Sequence, residues 1–468
     1  MKKIVIAAVA MVGSAAGAQA ADMAVKAPVY KAPVMQVYDW TGFYLGANAG
    51  LGFGRSSTQL TSLRSGNAIT RTGGVGGLGG VQAGYNWQAG NMLGFRNVVF
   101  GVEADIQGAG FDDGYTCGFN CGVNGFSYQQ KLDWFGTVRG RIGLATGPVL
   151  SYVTGGFAYG NVKTGINYFD VPGASASFSS TRTGWTVGSG VEAALGGNWT
   201  AKIEYLYLDL GSQSGVSPSG LYAFNSDIRE HIFRVGLNYR FGGNSAYTEP
   251  TANWAGFYLG GNFGGATALN RSSVVVPAAG VAENFNLSPD GFMGGVQAGY
   301  NFQAGNFVYG LEADFQGSTQ KDDKNCLFGC VGPNVANFSQ KLDWFGTVRG
   351  RAGFTVGATL FYATGGFAYG DVKTRAQGIA GGTPFDVSFS HTRTGYAVGG
   401  GIETPFEFLG LFGPNWTSKS EYLYVNLGRA TDAFSIGGVP GAFSTRVEEH
   451  MLRTSLSYHF NAPVVAKY

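Results

Sequence analysis

The stretch KLDWFGTVRGR occurs twice in this chain, at Lys131–Arg141 and again at Lys341–Arg351. Identity over eleven residues within one chain marks an internal duplication. Each copy also shows its own local structure. Leu132, Trp134, Val138 and Ile142 are apolar, and Gly136 and Gly140 lie among them. The interleaved set is Asp133, Thr137, Arg139 and Arg141. A period of two is the signature of a β-strand with one apolar face and one charged face. What the apolar face meets decides the fold.

The rest of the chain repeats in the same order. GFYLG opens both copies, after Trp40 and again after Trp254. VQAGYN (Val81–Asn86) recurs at Val296–Asn301, and GVEADIQG (Gly101–Gly108) returns as GLEADFQG (Gly310–Gly317). TGGFAYGNVKT (Thr154–Thr164), TRTGWTVGSGVE (Thr181–Glu192), NWTAKIEYLYLDLG (Asn198–Gly211) and EHIFRVGLNYRF (Glu230–Phe241) also have second-copy partners. With the opening stretch this gives eight strand-like segments per copy. The connections between them alternate long and short. Arg55–Thr72, Asp112–Gln129 and Ser212–Asp227 are long, whereas Thr146–Pro148 and Gly196–Gly197 are tight turns. Segments of about ten residues with long loops at one end and short turns at the other predict a transmembrane antiparallel β-barrel. Its apolar face then meets lipid. Such a sheet must close, because an open edge in hydrocarbon leaves backbone groups unpaired.

Composition agrees. The chain has 79 Gly, 35 Phe and 24 Tyr, only 13% charged residues and a formal net charge of +2. This balance gives no argument for nucleic acid or an acidic partner, and no nucleic acid is expected. Residues 1–20 read as a cleaved signal peptide: Lys2 and Lys3, the short apolar run Ile4–Val12, then Ala18-Gln19-Ala20. Residues 21–39 read as a periplasmic lead, 40–241 as the first barrel, 242–253 as a linker, 254–460 as the second barrel and 461–468 as a periplasmic tail. Two tandem eight-stranded barrels are expected, with one sixteen-stranded barrel as the alternative.

In that fold the charged register faces inward. It comprises Glu103, Asp105, Arg139, Arg141, Arg182, Glu192, Lys202, Glu204 and Arg234 in the first copy. In the second it comprises Glu312, Asp314, Arg349, Arg351, Arg393, Glu403, Lys419, Glu421 and Arg453. Facing lipid near the midplane, a cationic member of this set costs about 2–4 kcal/mol. An eight-stranded lumen is just wide enough for side chains to fill. These charges are therefore expected to pair and hold the barrels together, not to form a catalytic site. The cysteines come as Cys117/Cys121 and Cys326/Cys330, one spaced pair per copy. Local disulfides in oxidising loops are expected. No metal or other cofactor is expected. GVGGLG (Gly74–Gly79) formally fits a dinucleotide fingerprint but runs into a strand, so the match is accidental. His231 and His450 each follow a glutamate and are the candidates for an acid–base pair, should the barrel be an enzyme. A rim position at the headgroups is the plainer reading. Trp40, Tyr44, Tyr205 and Tyr207 are expected in interfacial aromatic girdles.

The GFYLG opening, the KLDWFGTVRGR strand, the EYLY strand and the NYRF-type ending resemble the alphaproteobacterial outer-membrane β-barrel family. That family includes small immunogenic and porin-annotated proteins. The resemblance implies an eight-stranded outer-membrane barrel, structural and surface-exposed, with at most weak solute diffusion. A closing aromatic strand resembles the signal read by the barrel-assembly machinery, so that machinery and outer-membrane lipid are the implied partners. Members usually carry one such barrel, and here Asn461–Tyr468 extends past the last Phe460. A sixteen-stranded diffusion porin is the alternative function.

Overall fold

The computed structural model describes residues 38–460 except 55, 63–65, 73, 93–94, 118–125, 169–174, 217–219, 221, 243–251, 280, 326–334, 381 and 407–411. The expected signal peptide, almost all of the lead, most of the linker and the 461–468 tail lie outside the described residues. The same holds for the Cys117–Cys121 and Cys326–Cys330 pairings.

The first copy contains β1 (Gly42–Gly54), β2 (Ser56–Ser62), β3 (Gly66–Thr72), β4 (Val75–Met92), β5 (Phe95–Cys117) and β6 (Phe126–Thr146). It continues with β7 (Val149–Tyr168), β8 (Ala176–Gly196), β9 (Trp199–Val216) and β10 (Tyr222–Phe241). The second contains β11 (Gly256–Ala268), β12 (Asn270–Val276), β13 (Val281–Leu287), β14 (Asp290–Ala304), β15 (Phe307–Ser318) and β16 (Lys321–Asn325). It ends with β17 (Val335–Val356), β18 (Thr359–Ala380), β19 (Thr383–Pro405), β20 (Trp416–Ile436) and β21 (Val439–His459). Every pairing is antiparallel between neighbours. The order β1-β4-β5-β6-β7-β8-β9-β10 returns to β1, and β11-β14-β15-β17-β18-β19-β20-β21 returns to β11. Closure is in register, with Phe43 opposite Phe241 and Tyr258 opposite His459. Each copy is thus a complete eight-stranded ring. The sixteen-stranded alternative is overturned, because β10 pairs back onto β1 and the two copies form separate sheets.

Alternation sets the two faces. Val102, Ile106, Val138, Ile142, Val153, Phe157 and Val187 are exposed on the outer wall, whereas Glu103, Arg139, Thr154 and Glu192 are buried in the lumen. The outer wall matches hydrocarbon, and each eight-stranded ring closes so that its own strands present no open edge to it. Tight turns such as Thr146–Val149 and Val356–Thr359 sit at one end. Gly147 (φ 58°) and Gly357 (φ 57°) take there the left-handed conformation that other residues adopt at a cost.

The long connections differ from the expectation of loops. β5, β6 and β8 run 23, 21 and 21 residues, about twice a bilayer crossing. β2 and β3 form a hairpin that pairs with β10, and β12 with β13 does the same on β21. Polar alternation such as SSTQLTS continues the ladder into water once the apolar band ends. In this outer region Arg375 Nε donates to Asp386 Oδ1 at 2.8 Å. The guanidinium holds the Asp386 carboxyl below its ordinary range.

The period of two also breaks within the opening stretch. The β6–β7 register shifts between Leu132 and Trp134, and the β17–β18 register shifts between Leu342 and Trp344. These bulges move Leu132 into the lumen, 3% exposed. Asp133 moves outside, beside Lys163 at 2.5 Å. The expectation that Asp133 shares a face with the arginines, and Leu132 with the lipid side, is corrected. An extra residue inverts facing on one side of a bulge.

Candidate functional site

The charged positions of the duplicated motifs converge in the two lumens. Most of the inward charges come together. In the first barrel Glu103, Asp105, Glu192 and Glu204 meet Arg139, Arg141, Lys202 and Arg234, all at most 5% exposed. Arg139 sits at the centre. It reaches Asp105 at 2.9 Å and Glu204 at 3.0 Å, and it also contacts Glu103. Arg234 bridges Asp105 at 2.8 Å and donates to Gln107 Oε1 at 2.7 Å. Lys202 lies 2.8 Å from Glu103, and Arg141 lies 3.0 Å from Glu192. Four cations face four carboxylates, so the network closes without net charge.

The second barrel repeats it. Arg349 spans Glu312 (2.6 Å), Asp314 (2.9 Å) and Glu421 (3.1 Å), and Arg453 bridges Asp314 (2.8 Å) and Glu421 (2.6 Å). Lys419 holds Glu312 at 2.7 Å and Arg351 holds Glu403 at 2.6 Å. The remaining two expected residues stand apart from these clusters. Arg393 donates to the Thr445 carbonyl at 3.1 Å, and Arg182 is half-buried.

Glycine makes the room. Gly84 lies between Tyr44 and Glu103 in the register of β1, β4 and β5. The Tyr44 ring crosses it to donate to Glu103 at 2.8 Å, and Tyr258 crosses Gly299 to reach Glu312 at 2.7 Å. A Cβ at residue 84 collides with the Tyr44 hydroxyl. Gly84→Ala is therefore expected to cost about 1–3 kcal/mol, as overpacking does. The midpoint of the heat-induced mobility shift checks it, and an unchanged midpoint would contradict this packing.

Trp40 and Tyr44 do not belong to a girdle. Both are buried, Trp40 completely, and Trp40 Nε1 donates to the Gly147 carbonyl at 3.1 Å. Trp40 plugs the tight-turn end of the lumen with Val99, Ala145, Leu150 and Tyr152. Trp254 does so in the second barrel with Val308, Leu360 and Tyr362. An aromatic preceding the first strand can fold over the rim, which strand periodicity does not reveal. Beyond the charges, Leu78, Phe111, Leu132, Phe135, Leu206, Leu208 and Ile232 form an apolar layer. A hydroxyl and amide layer follows, with Thr58 bonded to Ser226 at 2.8 Å and Thr164 to Gln213 at 2.8 Å. Each lumen is filled as a stack of layers.

The Glu–His candidates are split by the pleat. His231 and His450 face outward, where their Nδ1 atoms meet Tyr205 at 2.8 Å and Tyr422 at 2.7 Å. Glu449 points into the lumen, where Gln320 donates to it at 2.5 Å. Adjacent strand residues lie on opposite sides of the wall, so neither glutamate can orient its neighbouring imidazole.

The family described as outer membrane protein beta-barrel domain matches residues 5–241 and again residues 242–460. A 31 kDa outer-membrane immunogenic protein of Brucella melitensis is 40% identical over 251 residues, covering 52% of this chain and 100% of that protein. A 22 kDa outer membrane protein of Rhizobium leguminosarum is 33% identical, covering 45% of this chain and 82% of that protein. A 25 kDa outer-membrane immunogenic protein of Brucella melitensis is 28% identical, over 52% of this chain and 99% of that protein. A whole relative thus corresponds to about half of this chain. Two lipid-faced rings, each matched by the same domain, make this chain a member of the outer membrane protein beta-barrel family, a tandem duplication residing in the outer membrane of a Gram-negative bacterium.

Proposed function

We propose that this protein is a closed, non-catalytic wall element of the outer membrane whose work is done by what its outer hairpins and loops present. The filling of both lumens carries this reading. A plug of Trp40, a neutral ion-pair layer and the apolar layer around Phe135 follow one another across the first barrel. Ions need a continuous aqueous path, and such layers supply none. The mixed-sign charges that would line a wide pore instead satisfy one another. The separation of Glu230 and Glu449 from the histidines beside them supports the absence of catalysis. The Brucella relatives are named as immunogenic proteins, which fits surface presentation. The outer-membrane lipid is the medium of the apolar wall, and the barrel-assembly machinery is the proposed partner during insertion.

Planar-bilayer recording tests this. The purified protein is expected to give no steady open level, and a stable, ohmic conductance would overturn the reading in favour of a diffusion channel. A peptide epitope inserted between Ser62 and Gly66 is expected to be labelled on intact cells. Labelling only after permeabilisation would place that hairpin on the wrong side.

A further inference from the structure

Five hydroxyl side chains occupy outward-facing positions on the barrel walls, where lipid contact calls for apolar groups. Ser151 and Ser189 belong to the first barrel, and Ser418, Ser420 and Thr454 to the second. Their facing follows from alternation. Leu150, Lys419 and Arg453 beside them are buried in the lumens, and Ser189 lies in register with outward Tyr205. All five line one cleft of about 500 Å³ between the barrels.

The duplication supplies an internal control. At the counterpart of each hydroxyl, the other copy carries an apolar residue or glycine. Ser151 corresponds to Phe361, Ser189 to Gly400, Ser418 to Ala201, Ser420 to Ile203 and Thr454 to Val235. The barrel wall therefore has no structural need for a hydroxyl at these places. A second asymmetry lies on the other side of the seam. There a cleft of about 620 Å³ is bordered by Ala49, whose counterpart Phe263 is 62% exposed on the lipid face. The substitutions fall where the two barrels approach each other.

The approach itself is made by outward side chains that are not exposed. Phe53 of the first barrel is 3% exposed, and its ring lies 4.0 Å from that of His450. Phe233 and Tyr422 are 5.5 Å apart, and Val149 and Ala193 pack with Ile402. In hydrocarbon, burial of apolar surface gives little drive for association. Close approach through small residues and hydroxyl hydrogen bonding supply it. A hydroxyl facing lipid without a partner is unfavourable, and its cost disappears against another polar wall.

We propose that the wall of the first barrel running from β7 through β10 to β1 and the β19–β21 wall of the second are a dedicated docking interface. The occupant of each surface is the other barrel of the same chain, so the tandem is a fixed side-by-side pair. Duplication then did more than double the copy number, because the two walls diverged to recognise each other.

The test uses the full chain with the four cysteines replaced by serine and a protease site placed in the 242–253 connector. Ile203→Cys and Ser420→Cys are introduced together and treated with a short bis-maleimide in lipid vesicles. After proteolysis the two halves are expected to remain covalently joined, and the yield should not change on dilution into excess lipid. The pair Val102→Cys and Val348→Cys, on exposed walls, serves as control and should leave the halves separate. Equal joining of the control, no joining of accessible thiols, or a yield that falls with dilution would each overturn the proposal. In a second arm Ser418→Leu, Ser420→Leu and Thr454→Leu are combined with a Phe53→Cys/His450→Cys pair. A several-fold loss of joining is expected while both halves keep their heat-modifiable migration. Undiminished joining would show that the hydroxyl wall plays no part.

Discussion

Replacing Arg139 with alanine is expected to destabilise the first barrel by about 3–5 kcal/mol, the range for breaking a buried ion pair from one side. The second barrel should unfold where it did before. Arg139 is fully buried at its side chain and answers three carboxylates, Glu103, Asp105 and Glu204. Without it, Arg234 and Lys202 still reach those carboxylates, but four negative groups then share three cations in a buried layer. Arg139→Lys keeps the charge, yet a single ammonium cannot repeat the guanidinium fork, so an intermediate loss is expected. The measurement is migration on an unboiled gel against temperature, after proteolysis between the barrels. Arg349→Ala should give the mirror result in the second half. If either substitution lowered both halves equally, the two rings would be one cooperative unit, contrary to their separate closure.

The duplicated stretch shows what strand periodicity reveals and where it stops. Arg139, Arg141 and Val138 lie as period two requires, and with them most of the inward charges of both copies were legible. Asp133 was not, because a bulge of one extra residue carries no compositional mark. Trp40 and Tyr44 read as membrane-interface aromatics because aromatic content alone does not say which side of a wall a ring occupies. Gly84 was the available signal for Tyr44: a glycine in register with a large inward ring on one side and a carboxylate on the other makes space for that ring. The outer hairpin β2–β3 reads as a loop because its sequence, SSTQLTS and GNAITRT, is largely polar, while the backbone ladder that orders it is indifferent to side-chain polarity. The seam between the barrels is marked only by differences between the two copies at outward sites, since each copy alone shows a few serines on a strand and nothing more.

Phe135→Ala tests whether the lumen is packed or merely occupied. Phe135 is completely buried in the apolar layer, with the Phe111 ring 6.2 Å away and Leu206 and Leu208 in the same cluster. In a soluble core, neighbours relax toward a deleted ring and recover part of its loss. Here the surrounding wall is a closed hydrogen-bonded ring of fixed circumference, so relaxation is limited to side chains. The expected cost is about 3–5 kcal/mol, the range for truncating a buried phenylalanine, read from the denaturation midpoint of the first half. The cavity left behind is apolar, and an apolar cavity of this kind stays dry and accepts a small aromatic molecule. Benzene should therefore raise the midpoint of Phe135→Ala and leave that of the unsubstituted protein alone. Conductance should stay absent, because the ion-pair layer and the Trp40 plug remain in series with the defect. A substitution without cost, or a variant that conducts steadily, would mean that water already threads the apolar layer and that the lumen is a gated path after all.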